Sequence, residues 1–319
     1  MATIEVPLLA RELAVSGQRG GLARWSHSAW RFCRRKPLGA VGGLIVVAML
    51  LIAVFVDGAA VGSSAHILAP TGYNDQVFGE ENLGPSAGHW MGTDQSGRDV
   101  LARVLYCVRI SALIGFGGVS IAVFLSMLLG TVSGYFGGWV DTITQRLVDI
   151  VLAIPPIILL IYGLNVFAGR SGPYSRMVWI TVIVGFIIAM GSARVVRGAA
   201  IATANNQYVD AARTIGATDA RIVLRHIVPN VVPVAIVLAT VSVGTVILAE
   251  AAISFLGYGI PPPFPSLGGM LNISGSSQFR AHPIQAVWPG IAIALLVYGF
   301  NMFGDALRDV LDPRLRGGR

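Results

Sequence analysis

One carboxylate lies deep in an apolar stretch of the sequence, where an acid can relay protons or serve as a hydrogen-bonding group. Glu250 is the only ionisable residue in the run from Ile227 to Ile253. An unpaired carboxylate is costly at membrane depth, so we expect it to face protein or a water-filled path. The other apolar stretches contain no chain of ionisable partners. This favours structural hydrogen bonding near the outer end of the segment, and a proton relay is the alternative.

A second acid, Asp149, lies at the edge of another apolar run and follows Arg146 by three residues. This spacing places the two side chains on one helical face, where we interpret them as a structural ion pair. Pro155 and Pro156 come next and interrupt the hydrogen-bond ladder of the same helix, so we predict a kink. Such a kink fits either a gate or a packing feature.

The chain has 23 basic residues, and only one of them, Lys36, is a lysine. A phosphate-binding P-loop requires Gly-x-x-x-x-Gly-Lys followed by Ser or Thr, whereas Lys36 lies between Arg35 and Pro37. The sequence excludes this type of ATP site, so we expect no cofactor in this chain. We also predict no metal site. We assign no role to Cys33 or Cys107, which the topology below places on opposite sides of a membrane.

Composition identifies a membrane protein. Of the 319 residues, 54% are hydrophobic and 12% are charged, against roughly a quarter charged in soluble domains. About 20 apolar residues in a helix cross a hydrocarbon core, and the bilayer leaves no water for unpaired backbone groups. The sequence therefore predicts an all-α, polytopic protein with six transmembrane helices: Leu38 to Val56, Ile110 to Val132, Ile150 to Ala168, Met177 to Ala193, Ile227 to Ile253 and Ile284 to Gly304.

Arginine placement sets the orientation of these spans. Basic residues cluster before the first span, between Arg194 and Arg225, and from Arg308 to Arg319. The positive-inside bias makes all three regions cytoplasmic, including both termini. The net charge of +7 is thus explained by topology, and we expect no nucleic-acid partner. Trp25 and Phe32 lie on one face of a basic segment, which predicts an interfacial helix on the lipid surface; a plain basic tail is the alternative.

The connection between the fourth and fifth spans is too polar to cross a membrane and too regular to be a slack loop. Small and apolar residues recur there at helical spacing: Tyr208, Ala211, Ala212 and Ile215. The pattern predicts a short amphipathic helix whose exposed face is small and apolar. Such a face lets another protein approach the backbone closely, and Asp210 and Arg213 can fix its register. A hairpin that only lies on the membrane is the alternative.

A second short helix completes this predicted hairpin, residues 199–229. Gly216 ends the first helix, and Thr218 caps a second helix from Asp219 to Ile227. Pro229 then opens the fifth span.

At these residues the sequence resembles the coupling motif of ABC importer membrane subunits. That motif is usually Glu-Ala-Ala with a glycine four residues after the last alanine. The matching residues here are Asp210, Ala211, Ala212 and Gly216, with Ile227 and Pro229 downstream. Asp210 keeps the carboxylate of the motif but is one methylene shorter than glutamate.

Other segments are similar to the dipeptide, oligopeptide and nickel branch of that family. The branch's Gly-Thr-Asp-x-x-Gly-Arg-Asp segment corresponds to HWMGTDQSGRDVLARVLYCVRIS, and its last two spans to AEAAISFLGYGIPPPFPSLGGML and GFNMFGDALRDVLDPRLR. RRKPLGAVGG matches the amino-terminal element of the C-type subunit and distinguishes it from its B-type paralogue. The resemblance extends from about Trp30 to Arg316.

The resemblance implies a type I ABC importer permease fold in a prokaryotic cell membrane. It implies a B-type permease as heterodimer partner, two ATPase subunits that bind ATP and magnesium, and an external binding protein that delivers short peptides. The chain itself is then no enzyme. Coupling residues implied by the motif are Tyr208, Asp210, Ala211, Ala212, Gly216 and Ala217. Alternatives are nickel or another cargo, or a secondary transporter or channel that uses Glu250.

These expectations give four regions along the chain. Residues 1–37 form the cytoplasmic tail, and residues 38–105 form the first span with an external region. Residues 106–310 form a five-helix permease core that contains the hairpin, and residues 311–319 form a second cytoplasmic tail. The external region and a proline-rich loop from Gly257 to Pro283 are either docking surfaces or plain loops.

Overall fold

The computed structural model describes residues 36–56, 68–169, 172–273 and 280–311. The predicted interfacial helix, Cys33 and the tail after residue 311 lie outside these residues. In the described part, the only β-type pairing is an isolated bridge between Thr93 and Asp99. The principal helices are α1 (Pro37–Phe55), α2 (Val100–Phe136), α3 (Gly138–Leu152), α4 (Pro156–Gly163), α5 (Pro173–Ala204), α6 (Gln207–Thr214), α7 (Asp219–Ile222), α8 (Val228–Phe255), α9 (Leu267–Ile273) and α10 (Ile284–Leu311).

The lengths of the apolar helices confirm the predicted class, an all-α protein of the membrane. Within the described residues, five helical stretches are long and apolar enough to cross a bilayer: Pro37–Phe55, Val100–Phe136, Pro173–Ala204, Asp219–Phe255 and Ile284–Val310. A sixth crossing is present if α3 and the segment after it count as one bent span.

The third predicted span, Ile150 to Ala168, is not one straight helix. Helix α3 ends at Leu152, and the segment Pro156–Ala168 leaves it at an angle of 86°. Pro156 begins α4, where the missing proline N–H would have no helical partner in any case. The kink predicted from Pro155 and Pro156 is therefore present as a sharp bend. Helix α4 then continues into a π turn, Leu164–Ala168.

Helices α2 and α5 extend well beyond the spans predicted for them. Helix α2 begins at Val100 instead of Ile110 and has 37 residues, a length of about 55 Å. Helix α5 continues to Ala204, so the predicted hairpin begins inside this helix. An apolar run in the sequence marks only the part of a helix that lies in lipid. Both helices continue beyond that part into more polar sequence.

Glycine allows α2 and α5 to pack at close range along their C-terminal halves. A Cβ at Gly130 would lie 2.7 Å from the carbonyl oxygen of Ala193 and 2.6 Å from a methyl of Val196. One turn later, a Cβ at Gly134 would lie 2.8 Å from the carbonyl oxygen of Arg197. Small residues at such contacts are the usual means of close helix packing in membranes. The α2–α5 seam is thus the rigid support of the hairpin that follows α5.

Residues 68–99 are fixed to the N-terminal end of α2. Asp99 precedes the helix, and its carboxylate accepts a hydrogen bond of 2.8 Å from the backbone N–H of Ala102. The same carboxylate lies 2.7 Å from Nδ1 of His89, whose Nε2 lies 3.1 Å from Glu80. The contact with Asp99 raises the pKa of His89 above its ordinary value, with burial opposing and Glu80 reinforcing the shift. The charged imidazolium is therefore favoured between the two acids.

Candidate coupling hairpin and intramembrane acid

Helix α6 ends in the conformation that the sequence predicts. Gly216 has a φ of +81°, a left-handed value that glycine adopts at little cost. The N–H of Gly216 donates to the carbonyl of Arg213 at 2.9 Å, and the N–H of Ala217 donates to the carbonyl of Ala212 at 3.0 Å. These two bonds form a Schellman motif, which satisfies carbonyls at the helix end and reverses the chain.

The inward face of α6 differs from the prediction at one residue. Val209 and Ala212 are both buried, with exposed fractions of 0% and 7%. They pack in a cluster with residues of α5 and of the returning arm: Val196, Ala200, Ile222, Ile227 and Val231. Ala212 follows Val209 by three residues, so the helical period places both on the same inward face. The expectation that Ala212 belongs to the exposed face is therefore wrong.

The other residues predicted for the outward face of α6 are exposed. Tyr208 and Ile215 expose 44% and 85% of their surface, and Ala211 is also exposed. Asp210 forms an exposed pair with Arg213, at 3.4 Å between Oδ1 and Nη1. Within this pair the acid and the base are fixed relative to the helix but remain open to a partner.

The returning arm of the hairpin is continuous with the fifth span instead of a separate helix. Thr218 occupies the position before α7, although its side chain makes no capping hydrogen bond. A π turn, Val223–Ile227, joins α7 directly to α8. Pro229 lacks the N–H that an α-helical ladder would use at this point, and the π turn ends just before it, with only Val228 between. Movement of the hairpin would therefore be transmitted along α8 without an intervening loop.

Asp149 has a different partner from the one predicted. Its carboxylate pairs with Arg194 of α5, and no contact joins it to Arg146 among the described residues. Asp141 lies near the start of the same helix. It pairs with Arg197 of α5 and also accepts a hydrogen bond from the hydroxyl of Ser133. Both pairs hold α3 against the C-terminal part of α5. Spacing along one helix pointed to Arg146, but the packing angle between α3 and α5 brings Arg194 to Asp149 instead.

Glu250 lies near the C-terminal end of α8 and is completely buried, with an exposed fraction of 0%. The hydroxyl of Ser254 donates to Oε1 at 2.7 Å, whereas Oε2 is buried with no hydrogen-bond partner among the described residues. Helix α9 covers this part of α8 so closely that a Cβ at Gly268 would lie 1.9 Å from the carbonyl oxygen of Ala251. The one hydrogen bond to the carboxyl group of Glu250 within the described residues comes from the next turn of its own helix, and its role stays a prediction.

No cluster of metal-binding side chains is found within the described ranges. Cys107 is buried there, with its sulfur 3.7 Å from that of Met270. The sequence did not reveal the residues that join the hairpin to α2, namely Tyr135 and Asp219, whose side chains are 84 positions apart and hydrogen bonded at 2.7 Å. The only local signal for this contact was the position of Tyr135, just before Gly137 and Gly138 where α2 ends.

Comparison with known proteins gives two family matches. Residues 126–317 match the family described as binding-protein-dependent transport system inner membrane component. Residues 24–85 match the N-terminal transmembrane domain of oligopeptide transport permease C. Together the two matches cover the first span, the hairpin and the core from residue 126 onward.

Individual relatives match over almost their whole length. The dipeptide transport system permease protein DppC of Alkalihalophilus pseudofirmus is 37% identical over 291 residues, covering 91% of this chain and 90% of the relative. The glutathione transport system permease protein GsiD of Escherichia coli is 36% identical over 294 residues, covering 91% of each. GsiD of Pectobacterium atrosepticum is 34% identical over 287 residues, covering 90% of each.

A solved structure supports the same fold. The methionine ABC transporter MetNI, in an inward-facing conformation, aligns with a TM-score of 0.51 at 23% identity, covering 67% of this chain and 96% of that one. The fold is thus that of a type I ABC importer permease, and a secondary transporter or channel is not favoured. On both family matches, the chain belongs to the binding-protein-dependent transport system inner membrane components, as a C-type permease of the dipeptide, oligopeptide and nickel ABC importers.

Proposed function

We propose that this chain forms half of the pathway by which an ATP-driven importer carries short peptides across a prokaryotic cell membrane. The relatives that are named for a cargo transport dipeptides or glutathione, and glutathione is itself a short peptide. Nickel or another non-peptide cargo is the alternative within the family. The observation that carries the proposal is the folded hairpin between α5 and α8, on a chain that belongs to a family of permease subunits.

The proposed partners divide the work. Two ATPase subunits bind ATP and magnesium, because this chain has no lysine in a P-loop context, and the chain itself catalyses no reaction. One ATPase docks on the outward face of the hairpin, which includes Tyr208, Asp210, Ala211, Gly216 and Ala217. Buried Ala212 supports that face from behind. A B-type paralogue completes the pathway as a heterodimer, and an external binding protein delivers the cargo.

Exposed apolar side chains on α3 fit a protein whose surface meets lipid and a second permease. Ile143, Leu147 and Ile150 recur on one face of α3 and expose 55%, 58% and 63% of their surface. The opposite face of α3 holds the ion pairs with α5. In this arrangement the pathway lies at the interface of the two permeases, and the bend at Pro155 and Pro156 lies beside it.

We also propose that both termini are cytoplasmic. Nζ of Lys36, at the start of α1, lies 2.6 Å from Oδ2 of Asp309, near the end of α10. This contact supports placing the start of the first span and the end of the last span on the same side of the membrane. The arginine-rich hairpin then lies on that same side by the positive-inside bias. Residues 68–99 lie on the opposite side.

Cysteine labelling tests this orientation. In a Cys33→Ser background, where buried Cys107 is protected, Ala87→Cys is expected to react with an impermeant thiol reagent added to whole cells. Thr218→Cys is expected to react only after the membrane is opened. Ala87 and Thr218 are both exposed, so a difference in reactivity reports the side of the membrane. Reaction of both from outside would exclude the proposed topology.

Reconstituted uptake tests the function itself. The vesicles contain this chain, a B-type permease, the ATPases and the binding protein. They are expected to accumulate a labelled dipeptide only when ATP is present on the side of the membrane that the ATPases face. Excess unlabelled dipeptide should compete, whereas nickel should not. Uptake that follows a proton gradient without ATP would contradict the proposal and would favour a transporter that uses Glu250. Competition by nickel alone would replace the peptide cargo with a metal.

A further inference from the structure

The last turn of α2 contacts both arms of the hairpin through one side chain. The hydroxyl of Tyr135 donates to Oδ1 of Asp219 at 2.7 Å, on the returning arm. On the first arm, the guanidinium carbon of Arg213 lies 5.3 Å from the centre of the Tyr135 ring, within the range of a cation–π contact. Arg213 is in turn held by Asp210. Tyr135 therefore joins α2 to the two helices that meet at Gly216. We call this set of four side chains the tyrosine clasp.

Helix α2 is firmly held immediately beside the clasp. Gly134, the preceding residue, makes the close approach to α5 described above, and Tyr135 packs against the apolar cluster of the hairpin. Phe136 then ends the helix. A displacement of the hairpin relative to the membrane thus acts on the end of a rigid helix, not on a loose loop.

The other end of α2 lies on the opposite side of the membrane and is also fixed. Asp99 caps the helix there and contacts His89 of the external region. Between Asp99 and Tyr135 the helix is continuous over its 37 residues. Since an α-helix resists compression along its axis through its hydrogen-bond ladder, a shift at one end is carried to the other.

We propose that Tyr135 is a positioning residue that couples the hairpin to α2 and, through α2, to the external residues 68–99. This inference rests on the proposed function, in which an ATPase docks on the hairpin. Asp210 belongs to both the clasp and the docking face, whereas Tyr135 lies on α2, outside that face. A change at Tyr135 can therefore alter the transmission of ATPase movement without removing a docking residue. Its loss should separate ATP hydrolysis from transport while the complex stays assembled.

The test uses the assembled transporter in vesicles with its ATPases and binding protein. Tyr135→Phe removes the hydrogen bond to Asp219 and keeps the ring, and Tyr135→Leu removes the cation–π contact as well. We expect co-purification of the ATPase within twofold of the unaltered protein. We expect dipeptide uptake per ATP hydrolysed to fall by about fivefold for Tyr135→Phe, the low end of measured coupling between sites, and further for Tyr135→Leu.

Two additional variants make the test specific. Asp219→Asn should reproduce the loss seen in Tyr135→Phe, and the double variant should be no worse than either single change, because both remove one interaction. Tyr298→Phe is the matched control, since Tyr298 exposes 64% of its surface on α10 and none of the described hydrogen bonds uses its hydroxyl. It should leave uptake per ATP unchanged.

The outcomes separate the clasp from the docking proposal. Normal uptake per ATP in Tyr135→Phe and Tyr135→Leu would overturn the clasp while leaving docking intact. Loss of ATPase co-purification in Tyr135→Phe would also overturn it, because the residue would then hold the hairpin's fold instead of transmitting its movement. If the unaltered chain fails to bind any ATPase, the proposed function fails before the clasp is tested.

Discussion

A tryptophan at Ala211 is expected to release the ATPase while the permease remains folded. Ala211 is exposed on α6, beside Tyr208 and Asp210, so a large side chain there protrudes from the proposed docking face. Because the centre of a tightly fitted contact dominates its affinity, we expect at least a roughly tenfold loss of ATPase co-purification. ATP-dependent uptake should fall with it. The measurement is the ATPase-to-permease ratio after purification, with Ala87→Trp, an exposed position in residues 68–99, as control.

Ala212→Trp is expected to lose the ATPase as well, but by another mechanism. Ala212 is buried against Val209 and the α5 side of the hairpin, and overpacking of this kind costs about 1–3 kcal/mol or more. The hairpin should therefore become sensitive to protease in the isolated permease, unlike in Ala211→Trp. Gly216→Val should behave like Ala212→Trp, since a β-branched residue is strained at φ +81°. If Ala211→Trp binds the ATPase normally, the outward face of α6 is not the docking surface.

Gly130→Leu is expected to prevent accumulation of folded permease. The α2–α5 seam leaves no room at this position, and the nearest atoms are backbone and the branched side chain of Val196. Leucine would force α2 and α5 apart where they support the hairpin. Both helices would then lose van der Waals contacts at this interface. We expect loss of nearly all of the monodisperse protein after detergent extraction, measured by size-exclusion chromatography of a fluorescent fusion.

Gly191→Leu provides the control for this effect. Gly191 lies on the same helix as Ala193, but a Cβ there meets no atom within 4 Å in this chain. Leucine also has a better helix propensity than glycine, so the single chain should fold at least as well as the unaltered one. Equal yields of Gly130→Leu and the unaltered protein would show that the close α2–α5 contact is not required.

The sequence alone determined the class of the protein and the position of its hairpin. Apolar runs of bilayer length can only be helices in lipid, so the spans and the all-α fold follow from local composition. The end of α6 is equally local, because glycine is the residue that takes the left-handed conformation at Gly216 most cheaply. The bend at Pro155 and Pro156 also follows from the absence of a backbone donor.

The tertiary structure decided which side chains meet. Whether Asp149 pairs with Arg146 or with Arg194 depends on the angle between α3 and α5. Residue spacing along a single helix carries no information about that angle. Ala212 is buried because the hairpin folds back on α5, so the same helical pattern can place it outward or inward until that contact exists. Tyr135 and Asp219 are 84 positions apart, and only the packing of α2 against the hairpin brings them together. Local rules fix the shape of each helix, but pairing across helices depends on their relative position, which the chain acquires only when its core is packed.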